Sequence, residues 1–307
     1  MNARVLEMIK KSAAVPSMPQ VVLRFLEIMQ DPNFDYRDLV KVLSGDPGTV
    51  SEILRLANSA LFGVRNKVVS IKQGLTLLGP KRVRSLLLGR YLVDAMAGKK
   101  VAGLDMCYFW RRSLACSVVA SHFAESVTPK LREEAFVGAL LADIGVPILT
   151  ETFPDKYRPI AERFAPNCQP ITPDEELNVV EVTHAQVSAM ILKHWTLPES
   201  VTRAVNLHQS AHAGEGDPAA VARVINGADR IAKLLCELSP EESALRTCQE
   251  ATAFVGIDVA VLVDLLPTVE SDIEELADAL RIDVIPSDVY ARIANAVRDR
   301  LAASAAG

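Results

Sequence analysis

Few side chains in this 307-residue chain have a type and setting that suggest chemistry. Asp143 is one. It is the lone carboxylate in LLADIGVPIL, residues 140–149, between Leu140, Leu141, Ile144 and Val146. A buried acid without a partner is costly, so it shifts its pKa or acquires a partner; the run predicts a partnered, unsolvated Asp143. His208 and His212 stand four residues apart, a spacing that pairs side chains on one helical face. Two imidazoles are too few for a zinc site, and His212 opens the Gly-rich loop HAGEGDP, so no metal is expected from that pair. There is no GxSxG elbow, no phosphate-binding loop and no HExxH. A third feature is electrostatic. No acid lies between Glu52 and Asp94, while Arg65, Lys67, Lys72, Lys81, Arg82, Arg84 and Arg90 do. Such a block attracts phosphates or an acidic partner, or faces the acidic remainder of the same chain.

The elements that must position these residues read as helices throughout. Half the residues are hydrophobic and only 5% aromatic, and the apolar set is mostly Leu, Val, Ile and Ala. Pro19 begins a helix with Val22, Phe25, Leu26 and Met29 at helical spacing. Asp35 caps a second, ended by Gly45; Asp46 and Pro47 start a third, lined by Ile53, Leu54, Leu56 and Ala57. Asn58, Ser59 and Gly63 mark a turn locked by side-chain to backbone bonds. Ser70 caps the next helix, Gly79 ends it and Pro80 opens another. Further helices are predicted over CYFWRRSLACSVVASHFA, over LREEAFVGALLADIG up to Gly145, and around 147–165, 183–195, 198–209 and 218–237, with Thr183 or Asn178 as cap for the helix of His184. Trp110 and Trp195 read as packing residues. No convincing strand occurs, so the fold class is all-α.

Charge divides the chain. Residues 1–100 hold 16 basic and 8 acidic side chains, a net of +8; the remainder holds 17 and 30, a net of −13. The five cysteines form no CxxC, which argues against a disulfide framework or zinc site and for a reducing compartment. The N-terminus is amphipathic and no run approaches the ~20 apolar residues of a membrane span, so a soluble cytoplasmic protein without a membrane partner is expected.

The order MPQVVLRFLEIMQDPNF, GDPGTVSEILRLANSALFG, SIKQGLTLLGPKRVRSL resembles the N-terminal half of bacterial HDOD domains. FWRRSLACSVVA, FVGALLADIGVPIL, THAQVSAMILKHWTLPESVTRAVNLHQ and NGADRIA resemble the second half, and together these cover roughly residues 14–235. The family implies degenerate relatives of HD metal-dependent phosphohydrolases. It implies an N-terminal helical half over 1–100 and an HD-like half over 101–237; residues 238–307 lie outside it and read from their own pattern as a helical extension. The resemblance places Arg112 where an HD enzyme carries its first histidine, Ala142 and Asp143 at the His-Asp pair, and Asp229 at the final aspartate. His184 and His208-Gln209 match further histidines of related phosphodiesterases. Two imidazoles of the core set are then missing. Arg112 brings a permanent positive charge to the place of a divalent ion and can pair with Asp143 and Asp229 instead. The expectation is a non-catalytic signalling module with no metal or cofactor, acting through other signalling proteins. Binding of nucleotide, cyclic dinucleotide or nucleic acid through the Arg65–Arg90 block is the alternative, and residual phosphohydrolase activity a third reading.

Overall fold

The computed structural model describes residues 3–12, 14–31, 33–58, 67–97, 99–210, 215–280, 282 and 285–305. Its α-helices are, in chain order, α1 Ala3–Lys10, α2 Gln20–Gln30, α3 Tyr36–Ser44, α4 Pro47–Ala57, α5 Ile71–Ala97, α6 Met106–Val127, α7 Arg132–Leu141, α8 Gly145–Thr152, α9 Pro154–Ala161, α10 Pro173–Val180, α11 His184–His194, α12 Glu199–Leu207, α13 Asp217–Leu235, α14 Ala244–Val255, α15 Val259–Leu280 and α16 Asp288–Ala305. No strand occurs among the described residues.

Capping chemistry sets the N-terminal half. Asp35 accepts from the Arg37 amide at 2.8 Å. Asp46 accepts from the Gly48 amide at 3.1 Å and the Thr49 hydroxyl at 2.8 Å, which fixes the start of α4. Asn58 donates to the carbonyls of Leu54 (2.6 Å) and Val68 (2.9 Å) and accepts from the Val68 amide (2.7 Å), tying the end of α4 to the approach of α5. Ser59, Gly63 and Arg65 lie outside the described residues. Ser70 accepts from the Gln73 amide, and Gly79 (φ 79°) breaks α5 just before Pro80. Pro19 is the extended cap of α2 rather than its first residue.

The second half is built on α6, buried over nearly all of Tyr108 to Ala124 and packed between α7 and α13. Asp105 starts it by accepting from the amides of Cys107 and Tyr108. One expectation fails here. The helix carrying Asp143 does not run to Gly145. It stops at Leu141, residues 142–144 turn, and α8 begins at Gly145. Gly145 is no left-handed cap: its φ lies outside that region. Its role is close approach. A Cβ there would stand 2.2 Å from the His184 carbonyl oxygen, and its amide donates to Ser188 Oγ at 2.8 Å. The turn with Asp143 therefore rests directly on the first turn of α11. A second break, at Phe153 ahead of Pro154, divides the predicted 147–165 helix into α8 and α9.

Residues 129–152 are long and apolar enough to cross a membrane, which the sequence reading overlooked; they are mostly buried and interrupted by the 142–144 turn. The C-terminal extension shares the same hydrophobic core as both halves. α14 packs on α13, and α15 packs on α6 and α4. His122 and Asp272 meet at 2.7 Å between α6 and α15, both side chains mostly buried. Arg90 is buried, pairs with Asp94 and donates to the Leu280 carbonyl. It braces the extension and is not part of an exposed cationic patch.

The Gly145 contact gives a direct test. Gly145→Ala is expected to cost about 3 kcal/mol, the upper end for overpacking, because the atom struck is backbone rather than a flexible side chain. Urea melts check this; an unchanged midpoint would mean that the turn does not rest on α11 as described.

Candidate functional site

Two pairings divide the centre. On one side Arg112, from the second turn of α6, reaches Asp229 on α13. Nε donates to Oδ1 at 3.1 Å, and Nη2 donates to Oδ1 at 2.8 Å and Oδ2 at 2.9 Å. The guanidinium lies over the Phe164 ring, 4.3 Å from its centroid. Burial opposes the charge on Arg112, but Asp229 and Asp143 outweigh it and hold its pKa above the ordinary value.

On the other side Asp143 sits beneath α11. His184 Nε2 is 3.2 Å and His208 Nε2 3.5 Å from Asp143 Oδ1. Burial pushes the Asp143 carboxyl up, but hydrogen bonding from the two histidines and the charges of His184 and Arg112 hold it well below the usual range. The expected Arg112–Asp143 pair is thus corrected: the fork goes to Asp229 alone and acts on Asp143 only through its charge. Asp229 faces α6 across the α6–α13 contact, whereas the 142–144 turn aims Asp143 at α11. Ala142 is buried apolar packing.

Sequence reading missed what stands behind His184. Glu176, fully buried on α10, accepts from His184 Nδ1 at 2.9 Å, from the His184 amide at 3.1 Å with each oxygen, and from the Tyr157 hydroxyl. Burial lowers the His184 pKa, but the charge of Glu176 and the bond to Asp143 win and push it up to about 10. The signal for α10 was present in TPDE: Thr172 and Glu175 form a capping box, and Arg163 with Thr172 pulls the half-exposed Glu175 down to about 2. Thr183 caps α11 in the same way with Gln186. His208 is buried, its Nδ1 2.7 Å from the Val205 carbonyl, and Asn226 holds its backbone carbonyl at 2.8 Å. His212 lies outside the described residues.

A cavity of about 320 Å³ opens onto Arg112, Asp143, His184, His208 and Asp229. Arg163, Arg230 and Lys233 also line it; they contact Glu175, Glu250 and Glu237 respectively. Of the predicted cationic block, Lys67, Lys72 and Lys81 are exposed, and the side chain of Arg82 is outside the description. Arg84 is half-buried, its pKa lowered by burial against the opposing charge of Glu134. It lines a groove of about 120 Å³ with Lys81, Lys130, Glu133 and Glu134, a surface of mixed sign.

Comparison with known proteins decides the family. The HDOD domain profile matches residues 15–211. The chain belongs to the HDOD family. A crystal structure from Shewanella amazonensis SB2B, provisionally named a phosphohydrolase, is similar at TM-score 0.70 with 21% identity over 91% of this chain and 98% of that one. An HDOD domain protein of unknown function from Geobacter sulfurreducens is similar at TM-score 0.65 with 20% identity, covering 90% and 98%. An uncharacterized protein of Treponema pallidum (strain Nichols) is 24% identical over 204 residues, 66% of this chain; the match spans 39% of that protein's length.

The divalent ions used by HD relatives fit this HDOD centre only in part. Asp143, His184 and His208 place their ligand atoms within 4.8 Å of one another, a nitrogen and oxygen set suited to one ion. The Arg112–Asp229 half does not fit, since both carboxylate oxygens are taken by a guanidinium. Arg112→Met is expected to cost about 3 kcal/mol, the low end for breaking a buried pair because Asp229 retains some solvent contact. Adding Asp229→Leu should restore most of it. Denaturant midpoints of the two singles and the double check this; additive losses would contradict the forked pair.

Proposed function

We propose that this HDOD protein is a non-catalytic regulatory module of the cytoplasm that acts by binding other signalling proteins. The observation that carries this reading is the Arg112–Asp229 fork. By the family resemblance it stands where an HD hydrolase holds part of its metal centre, and Ala142 adds no ligand. A divalent ion in such a centre lowers the pKa of a bound water and polarises a phosphoryl oxygen; Asp143, His184 and His208 are the residues that would hold one here. Arg112 instead spends its fork on joining α6 to α13. The division of charge between a basic N-terminal part and an acidic remainder supports docking to a partner of complementary surface. The exposed Lys67, Lys72 and Lys81 are the candidate contacts, and a nucleotide or nucleic acid is the alternative occupant of that face.

The name of the Shewanella relative and the cavity favour residual phosphohydrolase activity as a second reading. Against it, Arg163, Arg230 and Lys233 already contact their own acids, so a phosphate would compete with Glu175, Glu250 and Glu237.

Incubation of the full chain with Mn²⁺ and bis(p-nitrophenyl) phosphate or a cyclic dinucleotide tests the choice. No turnover above the protein-free rate is expected. Turnover abolished by Asp143→Asn would reverse the assignment. In affinity capture, a partner bound by the wild type should be lost from the Lys67→Glu, Lys72→Glu, Lys81→Glu triple variant; partners retained in full would exclude the basic face.

A further inference from the structure

Arg84 is a charge without a counterpart. It stands half-buried in the groove of about 120 Å³ that α5, α7 and the start of α12 line together. Among the described residues it makes no hydrogen bond and no ion pair. Glu134 acts on it through its charge alone, and burial outweighs that charge and lowers the Arg84 pKa. The deeper arginines are treated differently: Arg112 is forked on Asp229, and Arg90 pairs with Asp94. A guanidinium taken partly out of water with its fork unfilled is costly, and an acceptor from outside the chain relieves that cost.

The rest of the groove limits which acceptor fits. Its floor is apolar: Leu88, Val137 and Val201 line it, each at most 2% exposed. The exposed Lys81 and Lys130 join Arg84 in the lining, and Glu133 and Glu134 share it. Three cations against two acids leave a formal +1, which a single carboxylate balances. A run of phosphates would bring further negative charge against Glu133 and Glu134. Among the described residues no aromatic ring lines the groove for a base to stack on. The volume is that of about four waters, room for the end of one side chain, and the floor rewards an aliphatic neighbour.

We infer that this groove is a recognition pocket for an acidic segment of a partner protein. Arg84 takes one Asp or Glu carboxylate in its fork, and Leu88, Val137 and Val201 take an adjacent aliphatic side chain. The inference rests on the reading of the chain as a protein-binding module and adds the chemistry of the partner. On this account the exposed Lys67 and Lys72 steer the encounter, and the groove selects what stays bound.

Panning the full chain against phage-displayed random linear peptides tests it. Selected peptides should carry Asp or Glu beside Leu, Ile, Val or Met. In fluorescence anisotropy, synthetic copies should bind Arg84→Gln about 30-fold more weakly or worse, the loss expected for truncating one partner of a desolvated charge pair. Changing the peptide's acid to its amide should cost as much. Lys156→Gln, at an exposed lysine on α9, should leave affinity unchanged. The urea midpoint of Arg84→Gln should be unchanged or raised, since no internal partner is lost; a lowered midpoint would mean that Arg84 is already satisfied within the chain and would overturn the pocket. So would a failure to select any peptide, selection without acids, affinity indifferent to Arg84→Gln, or displacement of bound peptide by an oligothymidylate at physiological salt. The two readings fail separately. Peptides indifferent to Arg84→Gln remove the pocket and leave the non-catalytic module intact, whereas phosphodiester turnover removes the non-catalytic reading and leaves the peptide results standing.

Discussion

Arg112 reaches from α6 to α13 and closes three hydrogen bonds on Asp229 over the ring of Phe164. These two helices share one of the most extensive contacts among the described residues, so the fork sits at the junction around which the second half is assembled. A lone guanidinium at that depth would be severely penalised; paired, oriented and stacked, it is held charged. This constraint also decides the rest of the centre. With Asp229 committed to Arg112, Asp143 is left to the histidines, and the pocket becomes one ion pair beside one carboxylate–histidine cluster rather than a single continuous metal bed.

That cluster depends on support from a distance. Glu176 stands between Tyr157 and His184 and accepts from both side chains and from the His184 amide, so α9, α10 and α11 are fastened through one carboxylate. On the opposite side, Gly145 lets the 142–144 turn touch the His184 backbone. Asp143 is thereby positioned by a contact that tolerates no side chain, and His184 by an acid eight residues before it. The ring orientations are set by backbone and second-row partners rather than by whatever occupies the cavity, which is how a binding site remains formed when empty of ligand.

Much of this was legible in the sequence, for identifiable reasons. The caps at Asp35, Asp46, Ser70 and Thr183, the break at Gly79 and the lock at Asn58 rest on local chemistry, which a short window contains. The resemblance to HDOD domains brought Arg112, Asp143, His184, His208 and Asp229 into one pocket, and the apolar surroundings of Asp143 required a partner for it. Which acid would meet which base was not legible, because that depends on the angle at which a turn presents Asp143 to α11. Gly145 read as a helix stop because its actual cause, the approach of a distant carbonyl, leaves no local trace. Glu176 stayed hidden in an acidic PDEE run that looks like solvated surface, and Arg90 in a basic block from which it turns inward to reach the end of α15.

The central claim is that a guanidinium and a carboxylate have divided the old centre, leaving room for one ion at most. Anomalous scattering from crystals of the full chain grown with Mn²⁺ addresses it most directly. The account predicts any manganese peak confined to Asp143, His184 and His208, with Arg112 still forked on Asp229. A peak bridging Asp143 and Asp229, with Arg112 displaced, would contradict it.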